Sequence, residues 1–557
     1  MISAQMYKQL QYTVLLFFYC ILPSAIVNFY MYKVSSQIKY LDSIANGYLV
    51  AFLILILTFI LLQINKNLLF ISSMLLYIPT IINVMHIKQF GTFLGSTAYY
   101  AIFETNLTES KEYIENILLF DNVLLFTLVT VIFVMLTLVI YNIVVKFNAK
   151  FFIIIFVCSF TIIVCSITYK VVRKQSYVTQ LNTHPLFSMA NAYFYYNKDL
   201  NYVKAYHEKK VSVYDNITVK SDMPQNYVFI IGESSTTLHS SLYGYHRETN
   251  PYLSARDDIF VFKDVVSAAE GTWGSIKTML SFENCNNDSL SLYEGSIFTV
   301  FNSAGFETYW LGNQLVFGNP GSIPAIFVTE ANHAKLTSKS NDYESVQTLY
   351  DELLLAELDN VLRDNHDRRF IVMHLMGSHT RYEYRYPSNF RHFQGDVPGK
   401  ENLSQSKKNT INDYDNSIRY TDYIVNEVIE KIKKVNGLSY VFYISDHGED
   451  VYDFTDNAGH GHTKTFTPNI YSVPLIAWFS EKYLQLNSGF SERPEYFLRH
   501  YQADDINYFL IELSGITFKH SKPYKNVLSD KWIFKPRIIC LEKNYDYDKE
   551  LEEWINR

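Results

Sequence analysis

The stretch "YVFYISDHGEDVYD", residues 440–453, follows an apolar, strand-like run with a dense group of charged side chains. Five apolar or aromatic residues and a serine lead into Asp446, His447, Glu449 and Asp450. Crowding acids at the end of a buried strand is electrostatically costly unless a positive charge lies among them. The stretch therefore predicts a buried strand that ends at a cation-binding position.

Further strand-like runs occur on both sides of this stretch, with helix-like runs between them. The strand-like runs are "YVFIIGE" (227–233), "ETYWLGN" (307–313), "RRFIVMHLMG" (368–377) and "SVPLIAWFS" (472–480). The helix-like runs include residues 345–364 and 416–435. This alternation predicts an α/β domain with a central, mostly parallel sheet and helices on both faces. In such sheets ligands bind at the carboxyl ends of the strands.

Polar side chains with ligand chemistry follow several of these strands. They are Glu233, His379, Asp446, His447 and, in "NAGHGHTKT", His460 and His462. Each one alone is a weak signal, but together they place carboxylates and imidazoles at one edge of the sheet. Mixed ligands of this kind suit one or two Zn²⁺ ions and suit Mn²⁺ less well. Such a cation would also neutralise the acids of the opening stretch.

A cation at this edge would activate a nearby hydroxyl group as a nucleophile, because it lowers the pKa of a coordinated hydroxyl. A phosphoryl or sulfuryl group is the corresponding substrate. Spacing alone does not decide which hydroxyl is used. The eligible residues are Ser234, Ser235, Thr236, Thr272, Ser275 and Thr278.

The first part of the chain is dominated by long apolar runs, and residues 1–169 are predicted to form an α-helical transmembrane domain of five spans. A span needs about 20 mostly apolar residues, and runs such as "YLVAFLILILTFILLQI" have no polar face that a buried soluble helix would show. The first run is longer than the apolar part of a signal peptide and precedes other spans, which favours an uncleaved helix. The five runs are Tyr12–Met31, Gly47–Ile64, Leu68–Ile87, Ile117–Val145 and Phe151–Tyr169.

The remaining segments are assigned from composition. Residues 88–116 are either an interfacial loop at the bilayer surface or a solvated loop, residues 170–225 are a membrane-surface linker, and residues 226–557 are the catalytic domain. Positive charge flanks both sides of the predicted spans, so charge does not fix their orientation. The net charge of -7 argues against a nucleic-acid partner. Cys285 and Cys540 could form one disulfide or none.

Several blocks of the sequence together resemble the bacterial phosphoethanolamine transferases, membrane-anchored members of the alkaline phosphatase/sulfatase superfamily. They include "IGESSTTLHSSLYGYHRETNP", "AEGTWGSIKTMLSF", "GFETYWLGNQ", "HLMGSHTRYEYRYP" and "SDHGEDVYD". The blocks occur in order between about residues 226 and 480. The resemblance implies an alkaline-phosphatase/sulfatase-like soluble domain in the periplasm, carried by a multi-pass domain in the bacterial inner membrane.

The resemblance also implies a reaction in two steps. A zinc-bound threonine takes phosphoethanolamine from phosphatidylethanolamine, and the phospho-threonine then passes it to lipid A, to the lipopolysaccharide core or to another envelope glycan. Three alternatives stay open: a metal-dependent phosphodiesterase or sulfatase-type hydrolase, a phosphoglycerol transferase, and a non-enzymatic membrane sensor. No sulfatase motif of the C/S-x-P-x-R kind lies near Thr272, which argues against a sulfatase.

Site residues carry over from the family position by position. Thr272 is the expected nucleophile and a metal ligand, together with Glu233, Asp446 and His447. His379, Asn313 and one of His460 or His462, with His460 preferred, are expected to bind the substrate. The family's lipid A-modifying members usually have several disulfides and a different pattern around "DHGEDVYD". Because of both differences, the resemblance does not identify the acceptor of the phosphoethanolamine group.

Overall fold

The computed structural model describes residues 4–35, 48–90, 94, 120–143, 157, 161, 184–285, 292–314, 323–337, 350–460, 466–540 and 544–556. The chain forms two compact units that meet in sequence between Lys198 and Asp199. The first unit is helical and the second contains the sheet.

The first four described helices of the N-terminal unit are rich in apolar residues, whereas the fifth is more polar. They are α1 (Ala4–Ser35), α2 (Tyr48–Ile64), α3 (Leu68–Phe90) and α4 (Phe120–Asn142), followed by α5 (Pro185–Lys209), which continues into the second unit. Among the residues that the structure describes, three stretches are long and apolar enough to cross a membrane: Tyr7–Lys33, Leu68–Lys88 and Val123–Asn142.

Within the described residues, the prediction of five spans is confirmed in part. The first, third and fourth predicted spans lie in α1, α3 and α4. The second lies in α2, whose 17 residues reach only about 25 Å at about 1.5 Å per residue, against a hydrocarbon core of about 30 Å. Asn65, Lys66 and Asn67 end this helix with a polar turn. Most of the fifth predicted span and most of the 88–116 loop lie outside the described residues.

A seven-stranded sheet forms the centre of the C-terminal unit. Its strands are β1 (Gln225–Gly232), β2 (Ile259–Phe262), β3 (Glu307–Gly312), β4 (His333–Leu336), β5 (Arg368–His374), β6 (Leu438–Ser445) and β7 (Leu475–Phe479). The spatial order is β2-β7-β6-β1-β5-β3-β4. The five strands from β6 to β4 are parallel, and β7 is antiparallel to both of its neighbours. The predicted central, mostly parallel sheet is confirmed.

Both faces of the sheet are covered because successive side chains of a strand point to opposite faces. Tyr227, Phe229 and Ile231 of β1 belong to one apolar cluster, whereas Val228 and Ile230 belong to the other. The helices of this unit are α6 (Pro251–Ser254), α7 (Thr272–Leu280), α8 (Ile297–Ser303), α9 (Ile323–Glu330), α10 (Glu352–Leu362), α11 (Gln405–Ile432), α12 (Pro468–Tyr471), α13 (Glu481–Leu486), α14 (Ile506–Leu513) and α15 (Tyr547–Ile555).

Short two-residue strands complete the unit. They pair as Thr218–Val219 with Ile516–Thr517, Val265–Val266 with Tyr501–Gln502, Asp450–Val451 with Ala458–Gly459, and Ile538–Ile539 with Tyr545–Asp546.

A disulfide joins Cys285 to Cys540, with Cα atoms 5.3 Å apart and 255 residues of separation. The backbone N–H of Cys540 donates to the carbonyl of Ala268 at 2.7 Å. Ala268 lies four residues before Thr272. The cross-link therefore supports the segment that leads into α7.

We expect the Cys285→Ala/Cys540→Ala double variant to lower the free energy of unfolding by about 2–5 kcal/mol, because a bond that closes a long loop restricts the unfolded chain. Denaturant unfolding of the full chain in detergent measures the change. A reducing agent should destabilise the wild type by a similar amount and leave the double variant unaffected. A wild-type midpoint that does not respond to the reductant would contradict the expectation.

Candidate active site

Two neighbouring strands bring Glu233 together with Asp446 and His447. Gly232 at the end of β1 is in register with Ser445 at the end of β6, so the residues that follow these strands leave the sheet side by side. All three side chains are buried, with at most 1% of each residue exposed. The structure thus places three ionisable groups at the carboxyl edge of the sheet.

The turn after Glu233 is strained, and several hydrogen bonds hold it. Ser234 has a φ of 55°, in the left-handed region. Its backbone N–H donates to Asp446 Oδ1 at 3.2 Å, and the Tyr414 hydroxyl of α11 donates to its carbonyl at 2.7 Å. Gly377 packs against the same turn, where a Cβ atom would lie 2.8 Å from the backbone nitrogen of Glu233. The glycine is required because its own φ is also positive, at 51°.

Thr272 is the first residue of α7, and its side chain reaches the same group. Its hydroxyl Oγ1 donates to Glu233 Oε2 at 3.0 Å and lies 3.5 Å from His447 Nε2. Ser234 Oγ also bonds to Glu233, at 2.8 Å, but Ser234 is completely buried. Thr272 is partly exposed. Of these two hydroxyls, only that of Thr272 is accessible to a substrate from solvent.

The other eligible hydroxyls bond elsewhere. Ser275 Oγ donates to the carbonyl of Ala269, and Thr278 Oγ1 donates to the carbonyls of Gly274 and Ser275. Ser235 follows the strained turn and donates its backbone N–H to Ser445 Oγ, while Thr236 caps the short turn after it. These contacts are structural.

Glu233, Asp446 and His447 have the arrangement expected of a metal site. Their ligand atoms all lie within 4.8 Å of one another, with His447 Nε2 3.2 Å from Glu233 Oε1 and 3.5 Å from Asp446 Oδ2. His447 Nδ1 donates to the carbonyl of Gly448 at 2.8 Å, which leaves Nε2 to face the carboxylates. Asp446 Oδ2 is buried and has no hydrogen-bond partner among the described residues. A buried, unsatisfied carboxylate oxygen among ligand atoms fits a divalent cation.

The pKa values show how strongly these groups interact. Burial, followed by the charge of Glu233, raises the pKa of Asp446 well above its usual range. Burial also acts to raise the pKa of Glu233, but the hydrogen bond and charge of His447 outweigh it and hold that pKa well below the usual range. Burial would lower the pKa of His447, yet Asp446 and Glu233 raise it to about 10. The pocket therefore favours a positive charge between the two carboxylates.

A second group adjoins the first. His460 Nδ1 lies 3.0 Å from Glu449 Oε2, and its ring centroid is 4.1 Å from that of His447. Glu449 Oε1 accepts a hydrogen bond from the Tyr382 hydroxyl at 3.1 Å. The ligand atoms of His447, Glu449 and His460 also lie within 4.8 Å of one another. The side chain of His460 is 27% exposed, so this group is in contact with solvent.

The other predicted site residues occupy different environments. Burial lowers the pKa of His379 to about 4, and the charges of Glu233 and Glu449 act on its ring. Asn313 donates to Asp351 Oδ1 at 2.9 Å and accepts from the Thr337 hydroxyl, so both ends of its amide bond to protein. His462 lies outside the described residues.

Sequence reasoning did not select Gln314, the neighbour of Asn313. Its Nε2 atom donates to Glu233 Oε2 and to the carbonyl of Leu375, both at 2.9 Å. Gln314 lies just beyond the carboxyl end of β3, and that position was the available signal. Glu449 was part of the opening acidic stretch but was not assigned to the site.

Comparisons with known proteins agree with this arrangement. The family model described as "Sulfatase" matches residues 225–515, more than half of the chain. Phosphoethanolamine transferase EptC of Escherichia coli (strain K12) is 30% identical over 343 residues, which cover 58% of this chain and 57% of that protein. The Kdo(2)-lipid A phosphoethanolamine 7''-transferase of Salmonella typhimurium is 29% identical over 46% of this chain and 45% of its own length. The chain thus spans about half the length of these relatives.

Solved structures give the same result. The crystal structure of the C-terminal periplasmic domain of EptC from E. coli, in complex with Zn, has a TM-score of 0.56 and 27% identity, and the alignment covers 60% of this chain and 96% of that one. The integral membrane protein lipooligosaccharide phosphoethanolamine transferase A of Neisseria meningitidis has a TM-score of 0.66 over 92% of this chain and 98% of that one. At 18% identity the latter shows only a shared fold. The resemblance to the phosphoethanolamine transferases is confirmed.

Proposed function

The chain belongs to the sulfatase family, and from that membership we propose that it is a metal-dependent phosphoethanolamine transferase whose nucleophile is Thr272. The main observation that supports the proposal is the position of the Thr272 hydroxyl. It is partly exposed, lies at the first position of α7, and donates to one of three buried ligand groups. Relatives that bear the name phosphoethanolamine transferase support the identity of the transferred group.

We propose that Glu233, Asp446, His447 and the Thr272 hydroxyl hold Zn²⁺. Carboxylate and imidazole ligands suit zinc and suit Mn²⁺ less well, and a relative's domain has been crystallised with Zn. When bound, the cation lowers the pKa of the Thr272 hydroxyl and offsets charge on the phosphoryl oxygens. Glu449 and His460, which lie beside His447, are the side chains that would ligate a second ion.

The first step forms a bond between Thr272 Oγ1 and phosphorus. Glu233 Oε2, which already accepts the hydroxyl hydrogen bond, orients the attack. The bond between phosphorus and the glycerol oxygen breaks, and the glycerol oxygen takes up the proton that Thr272 releases, so that diacylglycerol leaves. Backbone N–H groups at the N-terminus of α7 point toward the anionic phosphoryl group and stabilise it.

In the second step an acceptor hydroxyl attacks the phospho-threonine, and Thr272 leaves as the free hydroxyl. His460 is in contact with solvent and, held by Glu449, is placed to remove the acceptor's proton. We propose that His379 and Asn313, together with one of His460 or His462, bind the substrate. The acceptor is lipid A, the lipopolysaccharide core or another envelope glycan.

A lipid donor fits a catalytic domain that is carried by membrane helices. Three stretches of the N-terminal unit can cross a bilayer, so the domain stays close to a substrate whose acyl chains remain in the membrane. We propose that phosphatidylethanolamine is the donor, that residues 226–557 lie in the periplasm, and that the membrane is the bacterial inner membrane. Residues 170–225, which include α5, would connect the two parts along the membrane surface.

Mass spectrometry tests the proposal directly. The zinc-loaded full chain is incubated with phosphatidylethanolamine in detergent without an acceptor and is then digested. A mass increase of one phosphoethanolamine group on the peptide that contains Thr272 is expected, together with release of diacylglycerol. Continuous release of diacylglycerol and free phosphoethanolamine into water would instead identify a hydrolase. Absence of both the adduct and diacylglycerol would contradict the proposed donor.

The contact between Gln314 and Glu233 predicts a measurable effect on the rate. Replacing Gln314 with alanine removes a donor to a carboxylate, and such hydrogen bonds contribute about 1.5–3 kcal/mol. We therefore expect kcat/KM to fall by about 10- to 100-fold with little change in stability. Steady-state transfer assays and thermal unfolding measure the two quantities. Wild-type kcat/KM in Gln314→Ala would show that Glu233 does not depend on this contact.

A further inference from the structure

Three further ligand side chains lie at the amino edge of the sheet, away from the strand ends that bear the active site. Glu307 begins β3, His333 begins β4, and His366 lies two residues before β5. The three strands are parallel neighbours in the order β5-β3-β4. Their starting residues therefore meet at one edge, just as the catalytic residues meet at the other.

Each oxygen of one carboxylate faces a different imidazole. Glu307 Oε1 lies 2.6 Å from His333 Nε2, and Glu307 Oε2 lies 3.9 Å from His366 Nδ1. The three residues offer ligand atoms that all lie within 4.8 Å of one another. The side chains of His333, His366 and Glu307 are 56%, 47% and 26% exposed, so an ion from solvent can reach them.

The His333 ring is held in this orientation by its packing. It stacks on Tyr309 with ring centroids 4.9 Å apart and an angle of 22° between the planes. Tyr309 and Glu307 point to the same face of β3 because they are two residues apart. The Tyr309 hydroxyl bonds in turn to Asp364, in the loop that carries His366. Strand β3, edge strand β4 and the loop before β5 therefore contact one another around the three ligand side chains.

An ordinary surface ion pair needs only one imidazole for each carboxylate. His500 with Asp264 and His520 with Glu294 have that form. Within the described parts of the chain, Glu307 is the only carboxylate with two imidazoles within 4 Å. Two protonated imidazoles would repel each other there, whereas two neutral imidazoles and a carboxylate are good ligands for zinc.

We propose that Glu307, His333 and His366 form a second, surface binding site for Zn²⁺, with the remaining coordination position open to water. Ligand atoms around tetrahedral zinc lie roughly 3.3–3.6 Å apart at bond lengths of about 2.0–2.2 Å. Small movements of the exposed side chains reach this geometry: His333 moves away from Glu307 Oε1, and His366 moves closer to Glu307 Oε2. The ion ties edge strand β4 to β3 and to the loop before β5. This site is independent of the reaction proposed for Thr272.

Equilibrium dialysis of the full chain in detergent against ZnCl₂ tests the proposal. We expect the His333→Ala/His366→Ala variant to bind one equivalent of zinc less than the wild type. The His392→Ala variant, which lacks an exposed histidine of the loop before α11, should bind as much zinc as the wild type. Phosphoethanolamine transfer should be unchanged in both variants, which would also show that they are folded.

Thermal unfolding gives a second readout, because an ion that binds only the folded chain stabilises it. In the Glu233→Gln/Asp446→Asn background, added ZnCl₂ should still raise Tm, and adding His333→Ala and His366→Ala should remove most of that increase. Equal zinc content in the wild type and in the His333→Ala/His366→Ala variant would overturn the proposal. A Tm response that is unchanged by the two histidine substitutions would also overturn it. Failure of transfer in the wild type would affect the proposed function and not this site.

Discussion

Replacing Thr272 with alanine is expected to abolish phosphoethanolamine transfer, with a fall in kcat of about 10⁴-fold or more. The substitution removes the only candidate hydroxyl that both contacts Glu233 and is accessible from solvent. Loss of a catalytic nucleophile has effects of this size because no other group forms the covalent intermediate. A coupled assay of donor consumption and acceptor modification measures the loss.

The controls separate loss of the nucleophile from loss of the fold. Thr272→Ala should retain the zinc held by Glu233, Asp446 and His447, with weaker affinity, and should unfold at nearly the wild-type temperature. Thr272→Ser keeps a hydroxyl group and should recover part of the activity. Ser275→Ala is the matched control, because the Ser275 hydroxyl bonds only within the turn before α7. Wild-type turnover in Thr272→Ala would make Ser234, which also contacts Glu233, the next candidate.

Replacing Asp446 with alanine is expected to remove both the metal and the activity. Asp446 Oδ1 accepts the backbone N–H groups of Ser234 and His447, at 3.2 and 2.7 Å, and Oδ2 is the unsatisfied oxygen of the site. The alanine variant loses a metal ligand and the support of the strained turn together. Breaking a buried charge pair costs about 3–5 kcal/mol, so we expect lower stability as well as a metal affinity reduced by more than about 100-fold.

Asp446→Asn distinguishes these two contributions. The asparagine carbonyl can still accept the two backbone N–H groups, so the turn should persist, while the negative charge at the metal position is lost. We expect this variant to fold and to lose zinc in competition with a chelator. If Asp446→Asn kept both wild-type zinc affinity and wild-type turnover, the assignment of Asp446 as a ligand would be wrong.

The site residues that follow β1 and β6 were predictable, because ligands bind at the carboxyl edge of a parallel sheet. Asp446 and His447 follow a long apolar run, and Glu233 follows another, so each could be found from local sequence. Thr272 could not be chosen by spacing, because six hydroxyls were eligible. The family resemblance named it, and its contact with Glu233 depends on the packing of α7 against the sheet.

Other features depend on contacts that a local pattern does not contain. The contact of Gln314 with Glu233 depends on the strand order β1-β5-β3, which places the end of β3 near the end of β1. Local sequence does not contain this order. Strands β2 and β4 have four residues each, too few for an alternating pattern to be recognised. The end of α2 at Ile64 was predictable, because the apolar run stops there and the polar residues Asn65, Lys66 and Asn67 follow.

The disulfide between Cys285 and Cys540 can form only after most of the C-terminal unit has been synthesised. Its two halves are 255 residues apart, and at synthesis rates of about 5–20 residues per second the second cysteine emerges roughly 10–50 s after the first. The segment before Thr272, which hydrogen-bonds to Cys540, therefore gains its last support after the sheet has been synthesised. Disulfides persist in oxidising compartments. In a chain retained in a reducing compartment, this segment would therefore lack the support of the disulfide. The last support for the segment before the proposed nucleophile, Thr272, would thus form only in an oxidising environment.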